Sequence, residues 1–307
     1  MMVPPATFTS YYGRPIVKAS PWTSDIPAYL FLGGLAAASS LLAAGADLSN
    51  RPELRRVARI GALAGGAAGT AALIHDLGKP TRFLNMMRTA KPTSPMSVGT
   101  WILTTFMPMA SLAGAAEVAA LLPFRIPIAG RLLDLAARPA GLLAAAVAPG
   151  LASYTGVLLT DTATPGWHAA QRELPLIFVA SAAAAAGGLG MAGAPVGQAM
   201  PARRMAVGGA ALALVMERRM ERSMGLTAET LHSGKAQRLF NASRALSIGG
   251  ALGTIILGSR HRAAAAACGA ALVVGSACMR FAVFEAGQQS ARDPRYTVIP
   301  QRERLRS

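Results

Sequence analysis

Six ionisable or phenolic side chains stand where apolar stretches begin or end. Asp25 and Tyr29 open the first stretch, His75 and Asp76 close the second, and Tyr154 and Asp161 flank the end of the fourth. Such groups are costly inside an apolar span, so those retained there mark candidate functional positions. A histidine titrating near neutrality and a buried carboxylate can both pass protons. A tyrosine hydroxyl can bond to a carbonyl oxygen without carrying charge. Together they suit the reduction of a quinone, which takes two electrons and two protons at its carbonyl oxygens. Each residue also has a plainer reading. Asp25 can cap a helix, Tyr29 and Tyr154 can belong to an interfacial aromatic belt, and His75 and Asp76 point about 100° apart around a helix, so that one faces a site while the other bonds to a loop.

The elements that must position these residues are apolar helices. Apolar residues make up 52% of the 307, and charged residues only 14%, against about 25% charged in soluble domains. Mean hydropathy is +0.39. The charges cluster between eight apolar stretches, at 26–46, 57–75, 97–122, 137–160, 173–194, 203–217, 244–260 and 262–285. This predicts an all-α membrane protein with about eight transmembrane helices. The sixth stretch is short, and its flanking Arg203, Arg204 and Glu217–Arg219 must reach outward to water. An even number of spans puts both termini on one side, here side A, and all six candidate residues fall toward it. Outside the termini, Lys and Arg divide evenly between the two sides, which leaves the membrane face open. The spans are rich in Gly and Ala, which allow close helix packing in lipid. Pro4, Pro5, Pro15 and Pro21 interrupt the first 25 residues, where no apolar core supports a cleaved signal peptide.

Other function classes fit poorly. The net charge of +16 comes without the interleaved aromatics of a nucleic-acid stacking platform, so no nucleic acid is expected. Cys268 and Cys278 lie about 15 Å apart along one helix, too few and too far apart for a disulfide, zinc site or iron–sulfur cluster. Of the four histidines, only His75 lies within an apolar stretch, at its end, so no haem is expected. Between Gly78 and Arg88, polar Arg82, Asn85 and Arg88 oppose Phe83, Met86 and Met87, the pattern of a short interfacial amphipathic helix. Lys79, Arg82, Arg88 and Lys91 there can dock an acidic partner or meet lipid phosphate. Glu117, about 20 residues into the third span and near side B, is read as an interfacial carboxylate in preference to the end of a proton path from the opposite surface.

Several segments carry a family resemblance: Trp22-Thr-Ser-Asp-Ile-Pro-Ala-Tyr-Leu-Phe-Leu-Gly-Gly34, His75-Asp-Leu-Gly-Lys-Pro-Thr-Arg-Phe-Leu-Asn85 and Pro92-Thr-Ser-Pro-Met-Ser-Val-Gly99. Ser153-Tyr-Thr-Gly-Val-Leu-Leu159 and the tail from Arg280 to Pro300 add to them. With these, the chain resembles the NrfD/polysulfide-reductase-type membrane subunits. The resemblance implies two four-helix bundles, 26–160 with an interfacial loop at 76–96 and 161–285, between an N-terminal arm at 1–25 and a polar tail at 286–307. It also implies a subunit of the cytoplasmic membrane of a prokaryote that anchors a ferredoxin-like iron–sulfur subunit and a molybdopterin-type catalytic subunit. Such subunits exchange electrons with menaquinone or ubiquinone and hold no haem or cluster themselves. Carried onto this chain, the catalytic residues are His75, Asp76 and Asp25, the quinone-binding residues Tyr29, Tyr154 and Gly33, and the docking residues Lys79, Arg82, Arg88 and Lys91. Relatives often carry Glu at the first-span acid, so Asp25 is one methylene shorter. Two alternatives stand beside this reading: a structural anchor without a quinone site, and a proton-translocating, transporter-like subunit.

Overall fold

The structure is a computed structural model, and it describes residues 13–123 and 127–305. Eight long helices alternate in direction: α1 (Asp25–Leu48), α2 (Pro52–Asp76), α4 (Pro95–Ala119), α5 (Pro127–Thr160), α7 (Leu174–Gly193), α8 (Met200–Ser223), α9 (Gly234–Ile256) and α10 (Arg262–Arg292). Shorter pieces, α3 (Arg82–Met86), α6 (Pro165–Ala169), a 3-10 helix at Gly225–His232 and α11 (Arg295–Arg304), all lie at the side A ends. Proline opens α2, α4, α6, α7 and α8 within the first two positions, where its missing N–H costs no helical hydrogen bond.

Seven of the long helices are long and apolar enough to cross a membrane, and the chain is an all-α membrane protein. The exception is α8. Its 24 residues rise about 36 Å, more than the roughly 30 Å of a hydrocarbon core. Length is therefore not its limitation, as the sixth apolar stretch had implied. Charges at both ends of α8 keep its composition short of a span.

Packing follows chain order. In the first half, α1 meets α2, α2 meets α4, α4 meets α5, and α5 returns to α1; in the second, α7, α8, α9 and α10 close a similar ring. The halves join where α1 and α5 lie on α7 and α10 touches α1. Small residues set these distances. At Gly188 of α7 an added Cβ would lie 2.4 Å from the carbonyl oxygen of Gly269 on α10, so a larger residue would push the two backbones apart.

Several charges are placed differently from expectation. Glu117 is 5% exposed and accepts hydrogen bonds from Arg55 (2.9 Å) and Arg59 (3.1 Å). It is a buried clamp between α4 and α2, in place of the interfacial carboxylate expected. Asp47, at the end of α1, extends the clamp to Arg55 and to Arg138 of α5. The apolar stretch that ends at 285 puts Arg280 near a span end. However, α10 continues to Arg292, and Arg280 is wholly buried, its guanidinium over the Phe178 ring and bonded to the Phe178 carbonyl at 2.7 Å. The polar tail expected from 286 is thus helix, first of α10 and then of α11.

Candidate functional site at the side A ends of the first four spans

The side A ends of α1, α2, α4 and α5 enclose a cavity of about 160 Å³, closed on one side by α3. Tyr29 enters from α1, Asp76 from the last turn of α2, Thr100 from α4 and Tyr154 from α5. Ile26, Leu73, Leu103 and Leu158 supply an apolar lining. An apolar pocket with a few convergent polar groups is the usual form of a small-molecule site. An engineered protein cavity of about 150 Å³ accepts benzene, so the space here suits one aromatic ring. Tyr29 is 1% exposed and lines the cavity together with Tyr154.

Local sequence explains the placement. Tyr29 lies four residues into α1 and Tyr154 six before the end of α5, about 6 and 9 Å below the helix ends. Both nevertheless line the same cavity as Asp76, which ends α2. Room for the Tyr154 ring comes from Gly99 on α4, where an added Cβ would fall 1.9 Å from the ring's Cζ. The amphipathic segment is helical only over α3. Its Phe83 and Met86 line the cavity, as the apolar face should, while Asn85 and Arg88 stay exposed.

His75 and Asp25 meet outside the cavity. The Nδ1–H of His75 donates to Asp25 Oδ2 at 2.6 Å, and the imidazole is 83% exposed. The two neighbours in sequence thus divide as helix geometry requires, with Asp76 toward the cavity and His75 toward side A. Asp25 is the first residue of α1; Ser24 precedes it as N-cap without a side-chain capping bond. The carboxylate of Asp25 serves His75 and Thr23 and caps no helix. Gly33 lies one turn below Tyr29, in contact range of its ring, and does not line the cavity. Asp161 is exposed and stands apart from the group.

The four basic positions also separate. Arg82 lines the cavity and reaches the Leu77 carbonyl at 3.4 Å. Lys79, Arg88 and Lys91 are exposed. Their loop is fixed to α4: Ser97 donates to the Thr89 carbonyl (2.8 Å) and accepts from the Lys91 N–H (2.9 Å).

Other contributors carried no chemical signal in the sequence. Thr23 holds Asp76 through both its N–H (3.1 Å) and its hydroxyl (2.9 Å). Trp22 lines the cavity and stacks on Trp167 of α6 at 5.9 Å, and Trp167 in turn meets Phe284 of α10 at 5.6 Å. Trp167 is 1% exposed, donates to the Val283 carbonyl at 2.9 Å, and sits in space left by Gly287. Gln288 adds a bond to the Ser20 carbonyl at 3.0 Å. Residues 20–24 are thereby strapped across both halves, which fixes Thr23 against Asp76. Thr23, Trp22 and Gly99 all occur inside the motifs quoted above, and that was their one visible mark.

A family model described as Polysulphide reductase, NrfD, matches residues 17–196. The matched region runs from the strap through α7 and includes every residue lining the cavity. A comparison with curated proteins returned no match.

Proposed function

The chain belongs to the NrfD family, and from that premise we propose that it is the quinone-reactive membrane subunit of an oxidoreductase complex in the cytoplasmic membrane of a prokaryote. The observation that carries this reading is the side A cavity. It has the volume of one aromatic ring, with two tyrosines and an aspartate on its wall, and that aspartate is joined through Thr23 to the His75–Asp25 pair.

In this reading the carbonyl-bearing ring of menaquinone or ubiquinone enters the cavity. Tyr29 and Tyr154 hydrogen-bond a carbonyl oxygen and orient the ring. Asp76 exchanges protons with the ring oxygens, and the His75–Asp25 pair exchanges them with water on side A. Arg82 places positive charge at the cavity wall, where it stabilises negative charge developing on the ring during reduction. Electrons travel between the quinone and a ferredoxin-like iron–sulfur subunit docked on side A, and beyond it a molybdopterin-type catalytic subunit. Lys79, Arg88 and Lys91 supply the cationic docking face. No haem is assigned to this chain: His168 and His232 lie in the connecting segments of side A, and His261 stands at the start of α10.

The competing reading is a structural anchor without a quinone site. Asp76→Asn and Tyr154→Phe separate the two in the purified native complex, using menadiol to reduce the partner's iron–sulfur clusters and following their visible absorbance. The quinone reading expects both variants to lose reduction rate while all subunits are retained. Unchanged rates in both would leave the anchor.

A further inference from the structure

Between the exposed pair and the cavity stands one hydroxyl. Thr23 Oγ1 donates to Asp76 Oδ1 at 2.9 Å and lies 3.3 Å from Asp25 Oδ2. Asp25 Oδ2 is also the atom that accepts from His75 Nδ1. The four side chains therefore form one unbroken series, His75, Asp25, Thr23 and Asp76, from a solvent-exposed imidazole to the cavity wall. A threonine hydroxyl has one proton and two lone pairs. It can accept from one carboxylic acid while donating to another, which a carboxylate or a methyl group in its place could not do.

We propose that Thr23 is a proton-relay residue, carrying protons between Asp25 and Asp76 during quinone turnover; the inference rests on the quinone reading above. In the inward direction, the His75 imidazolium gives its Nδ1 proton to Asp25 Oδ2. The protonated Asp25 then gives that proton to Thr23 Oγ1 as the hydroxyl's original proton passes to Asp76. One proton enters at His75 and one arrives on Asp76, with no net change at Thr23. Rotation of the hydroxyl resets it. Quinol oxidation runs the same series outward.

The backbone supports this division of labour. The Thr23 N–H donates independently to Asp76 Oδ1 at 3.1 Å, and the strap through Trp22 and Trp167 holds the residue in place. Replacing the hydroxyl by a methyl therefore removes the relay while Asp76 keeps a positioning bond.

The test is menadiol-driven reduction of the iron–sulfur clusters in the native complex, in H2O and D2O, for wild type, Thr23→Val, Thr23→Ser and Asp76→Asn. Thr23→Val is expected to lower the limiting rate by about 10²-fold, the usual contribution of a positioned proton-transfer group. Half-saturating menadiol should stay unchanged and the solvent isotope effect should rise, while Thr23→Ser restores both rate and isotope effect. Should Thr23→Val fail to assemble, Thr23→Ala takes its place in the same comparison. Wild-type rates in the hydroxyl-free variant beside an impaired Asp76→Asn would overturn the relay and leave the quinone site standing. Equal losses in Thr23→Val and Thr23→Ser would also overturn it. Full activity in Asp76→Asn as well would overturn the quinone site itself.

Discussion

Gly99→Ala is the sharpest test of how the cavity is built. The added methyl would lie 1.9 Å from Tyr154 Cζ and 2.5 Å from its hydroxyl oxygen. Nonbonded carbon atoms settle at about 3.5 Å or more, so the ring must retreat by roughly 1.6 Å. That movement takes it off the cavity wall and away from Tyr29. Displacements of about 1 Å in a positioned group can cost about 10² in rate, and overpacking of this kind costs about 1–3 kcal/mol in stability. The sign is informative, because Gly→Ala in an unobstructed helix would instead stabilise by up to about 1 kcal/mol. Two measurements check it: the thermal midpoint of the detergent-solubilised complex, and the limiting rate of menadiol-driven cluster reduction. In a Tyr154→Ala background the obstruction is gone, so the further effect of Gly99→Ala should vanish, giving a coupling of about 1–3 kcal/mol. A Gly99→Ala protein with wild-type midpoint and rate would refute the contact, and with it the placement of Tyr154 at the site.

Three further outcomes follow from other parts of the molecule. Glu117→Gln leaves Arg55 and Arg59 without their shared carboxylate and should destabilise the chain by about 3 kcal/mol, seen as a lowered thermal midpoint. Quinone-linked rates should hold in that variant, since the clamp joins the opposite ends of these helices. Trp167→Ala removes the stack under Trp22 and should release the strap, so that limited proteolysis cuts within residues 13–24, where the wild type resists. Arg88→Glu combined with Lys91→Glu should weaken retention of the proposed iron–sulfur partner, most at low salt where charge attraction is least screened. Unchanged subunit stoichiometry across a salt series would remove those residues from the docking face.

The spans were legible because a lipid-crossing helix must be apolar along nearly its whole length, and seven of the eight stretches satisfy that condition. Their ends were less so. In α10 the apolar run stops at 285, yet the helix continues with Gln288 and Ser290 buried against the strap and α6. A helix that bonds to protein on leaving the hydrocarbon region can turn polar residues inward, and hydropathy reads them as tail. The same extension moved Arg280 from an assumed span end into the core. At the site, nearness to the side A helix ends put Tyr29, Asp76 and Tyr154 in one group, because counting residues from a helix end bounds depth to within a side chain's reach. Rotation about each helix was not legible, since it depends on which small residues allow which neighbours to approach. Gly99 orients α4 toward Tyr154 by lacking a side chain, and absence of atoms carries no chemical signature in a chain with 32 glycines. Thr23 was hidden for a related reason. Its contribution comes from a strap that stands between two acids 51 residues apart in the chain, Asp25 and Asp76, and only tertiary packing through Trp22 and Trp167 puts it there. The residues that line the cavity were therefore readable from residue types near span ends, while the connectivity that would move a proton among them had to come from the fold.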